Sequence, residues 1–116
     1  MPSLTPRNLK RAIEHRDAGV LAGFYADDAL LRIIDKDHPP SAPMELHGRA
    51  EIARFYDDVC GRAMTHKIES AVGDRDHLAF SETCAYEDGM RVFCTAMLTL
   101  QDGQIAEQTT VQAWDA

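Results

Sequence analysis

AGVLAGFYADDALLRIID, residues 18–35, decides the fold, because it holds a helix, the end of that helix and a strand that runs into a proline-rich segment. Val20, Leu21, Phe24 and Tyr25 recur at helical spacing until Asp27 and Asp28 end the pattern. ALLRIID, 29–35, is dense in leucine and β-branched side chains and reads as a strand buried on much of both faces. The period of two puts Leu31, Ile33 and Asp35 on one face, so the strand carries a carboxylate to its mouth.

Upstream, Thr5 is placed to cap a helix with Pro6 in its first position, and Leu9, Ala12, Ile13 and Arg16 repeat at helical spacing. That helix is predicted over 6–17, broken by Asp17, Ala18 and Gly19. Downstream, DKDHPPSAPMELHG, 35–48, contains three prolines and no periodicity, and is expected to be a long irregular loop of the kind that covers a site. From Arg49, the spacing of Ile52, Phe55, Tyr56, Val59 and Cys60 predicts a third amphipathic helix ending at Gly61. Four strand patterns follow, at 64–72, 77–86, 90–100 and 104–114.

The last two connections, Glu87-Asp88-Gly89 and Gln101-Asp102-Gly103, admit two registers. Asp-Gly alone makes a two-residue hairpin, whereas a three-residue loop closes on a glycine in the left-handed region. The three-residue register is preferred, because it puts the even-numbered residues of all three strands on one apolar wall: Phe80, Glu82, Cys84 and Tyr86, then Val92, Cys94, Ala96 and Leu98, then Gln108, Thr110, Gln112 and Trp114. Three helices followed by a curved, mostly antiparallel sheet make an α+β layout, expected to form one domain over 1–116.

Composition narrows the function classes. Twelve Lys and Arg against nineteen Asp and Glu give a net charge of −7, and the basic residues form no run, which argues against nucleic acid or an anionic membrane as partner. The N-terminus MPSLTPRNLK has no apolar core of a secretory signal, and the expected location is cytoplasmic. Cys60, Cys84 and Cys94 have neither the even count of a disulfide framework nor the close pairing of a zinc site, and read as buried free thiols.

The segments AGVLAGFYADDALLRIID, HGRAEIARFYDDV and DGMRVFCTAMLTLQDGQIAEQTTVQAWD, in this order, resemble the SnoaL-like branch of the nuclear transport factor 2-like superfamily across almost the whole chain. The resemblance implies a cone-shaped domain, a sheet wrapped around helices, a pocket at the wide end and a homodimer formed through the outer sheet face. The superfamily includes ketosteroid isomerase, limonene epoxide hydrolase, scytalone dehydratase and polyketide cyclases as well as proteins that only bind or assemble, so fold alone does not settle activity. The isomerase pattern places Leu9, Ile33 and about Ala96 where it requires a Tyr, a carboxylate base and an acid, and all three are apolar here. The epoxide hydrolase pattern fails for want of an Arg on the even face.

Cyclase-like proton transfer has candidates. Glu82 and Asp35 are the carboxylates, and His66 is a group that titrates near neutrality. Tyr86, Gln108, Gln112 and Trp114 offer polar atoms to a ligand above an apolar floor of Ile33, Phe80 and Cys84. Tyr25 and Tyr56 fall at core spacing and read as packing residues. The Asp35, Asp37, His38 cluster is too irregular for a metal site, and neither metal nor cofactor is expected. The function expected is therefore binding of a small, mainly apolar, oxygenated molecule, with cofactor-independent isomerisation or cyclisation by a carboxylate. The alternative is a non-catalytic ligand-binding or assembly domain.

Overall fold

The computed structural model describes residues 2–115. Helices α1 (Pro6–Glu14) and α2 (Ala18–Gly23) lead into strand β1 (Tyr25–Ile34), and β2 (Met44–His47) leads into α3 (Gly48–Cys60). Strands β3 (Met64–Gly73), β4 (His77–Tyr86), β5 (Arg91–Gln101) and β6 (Gln104–Trp114) complete one six-stranded sheet in the order β2-β1-β6-β5-β4-β3. Only the β1–β6 pairing is parallel. The helices lie on one face of this open sheet, α1 against β3 and α3 against β1 and α2. The α+β expectation holds.

Local chemistry explains the helix ends. Thr5 Oγ1 accepts the Asn8 backbone N–H at 3.0 Å, and Leu9, Ala12 and Ile13 face the core. The helix stops at Glu14 rather than residue 17, because Arg16 takes a left-handed conformation at φ 53°. Asp17 then caps α2 through the Val20 N–H.

Three further expectations are corrected. Helix α2 ends at Gly23, and Tyr25, Asp27 and Asp28 belong to β1, which begins four residues earlier than the apolar run. The reason is a bulge: Tyr25 pairs with Ile105 and Leu30 with Glu107, so the residues between them crowd against Ala106 and turn both acids outward. Asp27 there meets Arg49 at 2.8 Å. The proline-rich segment is not wholly irregular, since Met44–His47 pairs antiparallel with β1 and an isolated bridge joins Asp35 to His38.

The third correction concerns the hairpins. Around Gly89 the loop has three residues, with φ +93° at the glycine and the Tyr86 N–H donating to the Met90 carbonyl. The β5–β6 turn instead has two residues, Gln101 pairing with Gln104 and both Asp102 and Gly103 in positive φ. A bulge between Thr99 and Leu100 restores the pairing of even with even positions, so Leu98 meets Gln108 and Cys94 meets Gln112. The even-numbered wall forms as expected, by a different turn.

Leu21, Leu31, Ile33, Ile52, Leu78, Leu98 and Ile105 fill the space between sheet and helices. A smaller cluster of Met64, Cys84, Val92 and Cys94 lies on the same sheet face. No helix among the described residues is long and apolar enough to cross a membrane. A Cβ at Gly103 would meet nothing within 4 Å, so a substitution there tests backbone conformation alone. Gly103→Ala is expected to cost about 1 kcal/mol in urea unfolding through the left-handed φ of 77°.

Candidate functional site

Side chains of the helices and of the sheet enclose a cavity of about 260 Å³. Strand parity decides what enters it. Leu31 and Ile33 of β1 and Asp35 just beyond it line the cavity, as their shared face requires; in β4 to β6 the even residues do. Every side chain singled out in the sequence as catalytic or ligand-binding lies on this lining: Asp35, Glu82 and His66, Ile33, Phe80 and Cys84, and Tyr86, Gln108, Gln112 and Trp114.

Glu82 and His66 are in direct contact. In the β3–β4 pairing His66 faces Cys84 while Ile68 faces Glu82, so the imidazole and the carboxylate meet on a diagonal. His66 Nδ1 lies 2.8 Å from Glu82 Oε2, with only 6% and 11% of the two side chains exposed. Cys84 Sγ donates to the same Oε2 at 3.2 Å and lies 3.3 Å from His66 Nδ1. Burial would depress the imidazolium, but the bonds to Cys84 and Glu82 outweigh it and lift the His66 pKa to about 9. At neutral pH the imidazole is a cation, and its buried Nε2 has no hydrogen-bond partner among the described residues. An unmet buried donor of this kind costs about 1–3 kcal/mol.

Cys84 is no nucleophile here. Its neighbour Cys94, burial and the Glu82 carboxylate all push the thiol up, against the pull of His66. His66, Glu82 and Cys84 do present ligand atoms within 4.8 Å of one another, and could hold a thiophilic cation only after imidazolium and thiol each give up a proton. Asp35, Asp37 and His38 form no such group. Burial works to raise the Asp35 carboxyl, but hydrogen bonds from His38 at 2.8 Å and from the Asp37 N–H outweigh it and keep it ionised, with Oδ1 fully occupied at the rim.

The amides are also engaged. Gln108 Oε1 accepts from the Tyr25 hydroxyl and its Nε2 donates to Thr110 at 3.0 Å, while Gln112 accepts from the Trp114 indole at 3.1 Å. Tyr86 stacks on Trp114 with ring centres 6.0 Å apart, Lys36 lies over the Trp114 ring, and Arg62 donates to the Tyr86 hydroxyl. Together they frame the cavity mouth.

Among the lining residues not foreseen, two are polar. Tyr56, read as packing, lines the cavity with its hydroxyl 2.7 Å from that of Tyr25. Arg62 supplies the cation that the cavity-lining face of the strands lacks. It sits between α3 and β3, where no periodicity fixes a side chain's direction, so the sequence held no signal for it. Leu9, Ile33 and Ala96, the positions that the isomerase pattern needs polar, are buried.

With this geometry in place, the comparisons agree with the resemblance. The SnoaL-like domain profile matches residues 7–108. The chain belongs to the SnoaL-like domain family. Among solved structures, this SnoaL-like protein is similar to an NTF2-like protein of unknown function from Mesorhizobium loti, with a TM-score of 0.80 and 16% identity over 92% of this chain and 86% of that one. It is similar to a Kribbella flavida protein provisionally named a ketosteroid isomerase, at 0.74 and 20% over 95% and 75%. A loop-truncation variant of IdmH gives 0.67 and 21% over 93% and 92%. At these identities the likeness carries the fold alone. No curated protein matches the sequence.

The pair makes stability depend on pH in a stated direction. Because the folded pKa of His66, about 9, exceeds the ordinary 6.5, its contribution is fully present below pH 6.5 and is lost as pH rises through 9. Urea unfolding across that window is expected to show a loss of up to about 3 kcal/mol, and His66→Gln should remove that slope.

Proposed function

We propose that the cavity binds a small, mainly apolar carbonyl compound and moves a proton on it without a cofactor. The observation that carries this reading is the buried Glu82–His66 pair, in which a cationic imidazole has a donor to spare at Nε2. Both hydrogen bonds to Glu82 land on Oε2 and neither on Oε1.

In this reading the His66 Nε2–H takes the ligand carbonyl oxygen and Glu82 Oε1 removes a proton from the adjacent carbon. The C–H electron pair moves into the enolate, whose negative oxygen is held by the imidazolium. Glu82, now a carboxylic acid, returns the proton to a different carbon of the conjugated system. Donation to the developing oxyanion gains strength from the dry surroundings, an effect typically worth about 10²–10³ in rate. Asp35, ionised and already bonded to His38, serves the rim rather than the chemistry.

A non-catalytic binding domain is the second reading, supported by the buried apolar residues at the isomerase positions and by the Gln108 carbonyl oxygen and one of its amide N–H groups being engaged within the protein. Deuterium exchange at the carbon next to the carbonyl of 2-tetralone, followed by NMR, separates the two. Wild type is expected to accelerate exchange over buffer, and Glu82→Gln to lower the enzymatic rate by at least about 10². Binding without exchange would favour the second reading.

We also propose a homodimer through the outer sheet face. Val72, Phe93, Met97 and Val111, 64%, 46%, 56% and 45% exposed, lie together there with Ala and Thr between them, an apolar patch of the kind that marks an interface. Sedimentation should show a dimer that Met97→Lys converts to monomer.

A further inference from the structure

We infer that Tyr56 presents an acceptor, not a donor, to the cavity, and so selects ligands that carry a hydroxyl as well as a carbonyl. The inference deepens the proposed carbonyl site and rests on it for the second half of the ligand. It follows from counting hydrogens along one buried chain. Gln108 gives one of its two amide N–H groups to Thr110 Oγ1, which turns its carbonyl oxygen to Tyr25. A phenol has a single proton, and Tyr25 gives its own to Gln108. The 2.7 Å approach between Tyr56 and Tyr25 can then be bridged only by the Tyr56 proton.

Tyr56 therefore turns its hydrogen inward and offers lone pairs outward. Neither phenol escapes by ionising. Burial pushes both above their ordinary value, strongly for Tyr25, and the negative Glu82 adds to the rise at Tyr56. Glu82 and His66 line the same cavity, and both hydrogen bonds to Glu82 land on Oε2, while the buried His66 Nε2 meets no partner among the described residues. A ligand that satisfies Tyr56 and His66 together has one O–H and one C=O on an apolar frame. A plain ketone or an ether leaves the Tyr56 oxygen desolvated with nothing to accept.

Two measurements test this. In the ligand-free protein, NMR is expected to find the Tyr56 hydroxyl proton slow to exchange with water and close to the Tyr25 ring. In Tyr25→Phe, which removes the acceptor oxygen, that proton is expected to exchange fast. A Tyr56 hydroxyl that exchanges freely in wild type, or lies far from the Tyr25 ring, overturns the acceptor assignment.

The second measurement is titration calorimetry with acetophenone, its three hydroxy isomers and their methyl ethers. At least one hydroxy isomer is expected to bind roughly tenfold more tightly than its ether and than acetophenone, and Tyr56→Phe to bring that ratio close to one. Equal binding of hydroxy and methoxy compounds overturns the ligand class and leaves the carbonyl site standing. A preference that survives Tyr56→Phe overturns the role of Tyr56. Failure of every ketone to bind overturns the ligand class and the carbonyl site together.

Discussion

The inward face of the last three strands rests on a compensation between one turn and one bulge. The two-residue turn at Asp102 and Gly103 pairs odd with even positions, and if that register ran on, β6 would turn Gln108, Thr110, Gln112 and Trp114 to the outside. The extra residue opposite Leu100 reverses it within one step. Polar lining from β6 and apolar lining from β5 thus reach the same cavity, and the outer face receives Met97 and Val111 instead.

The Glu82–His66 pair is costly to hold in a folded chain unless its groups are matched. Two charges leave water together, and their attraction repays the loss only with good geometry and further hydrogen bonds. Cys84 supplies one of those to Glu82, but nothing among the described residues supplies one to His66 Nε2. A protein that needed only stability would do as well with apolar side chains there. That imbalance, beside the apolar Phe80, Val92 and Ile33, is the physical reason to look for function at this point and not at the better-satisfied Asp35.

Much of this was legible beforehand, and the rest has identifiable causes. Strand period and the two Asp-Gly connections carried the lining of β4, β5 and β6, although the β5–β6 turn was of the other type. The helical spacing of Val20, Leu21, Phe24 and Tyr25 misled at its end: long-range pairing with Ile105 drew Tyr25 into the sheet. Once there, its hydroxyl could reach Tyr56, a contact across thirty-one positions that local pattern cannot contain. β2 was hidden by Pro39, Pro40 and Pro43, since only its pairing with β1 makes it a strand.

Trp114 is the only tryptophan in the sequence. It stands at the cavity mouth, stacked on Tyr86 and covered by Lys36, so all indole emission from this protein originates beside the site. A molecule entering the cavity would displace or desolvate the groups that touch that ring, and intrinsic fluorescence becomes an unlabelled reporter of occupancy. The fold thereby carries its own optical gauge at the entrance.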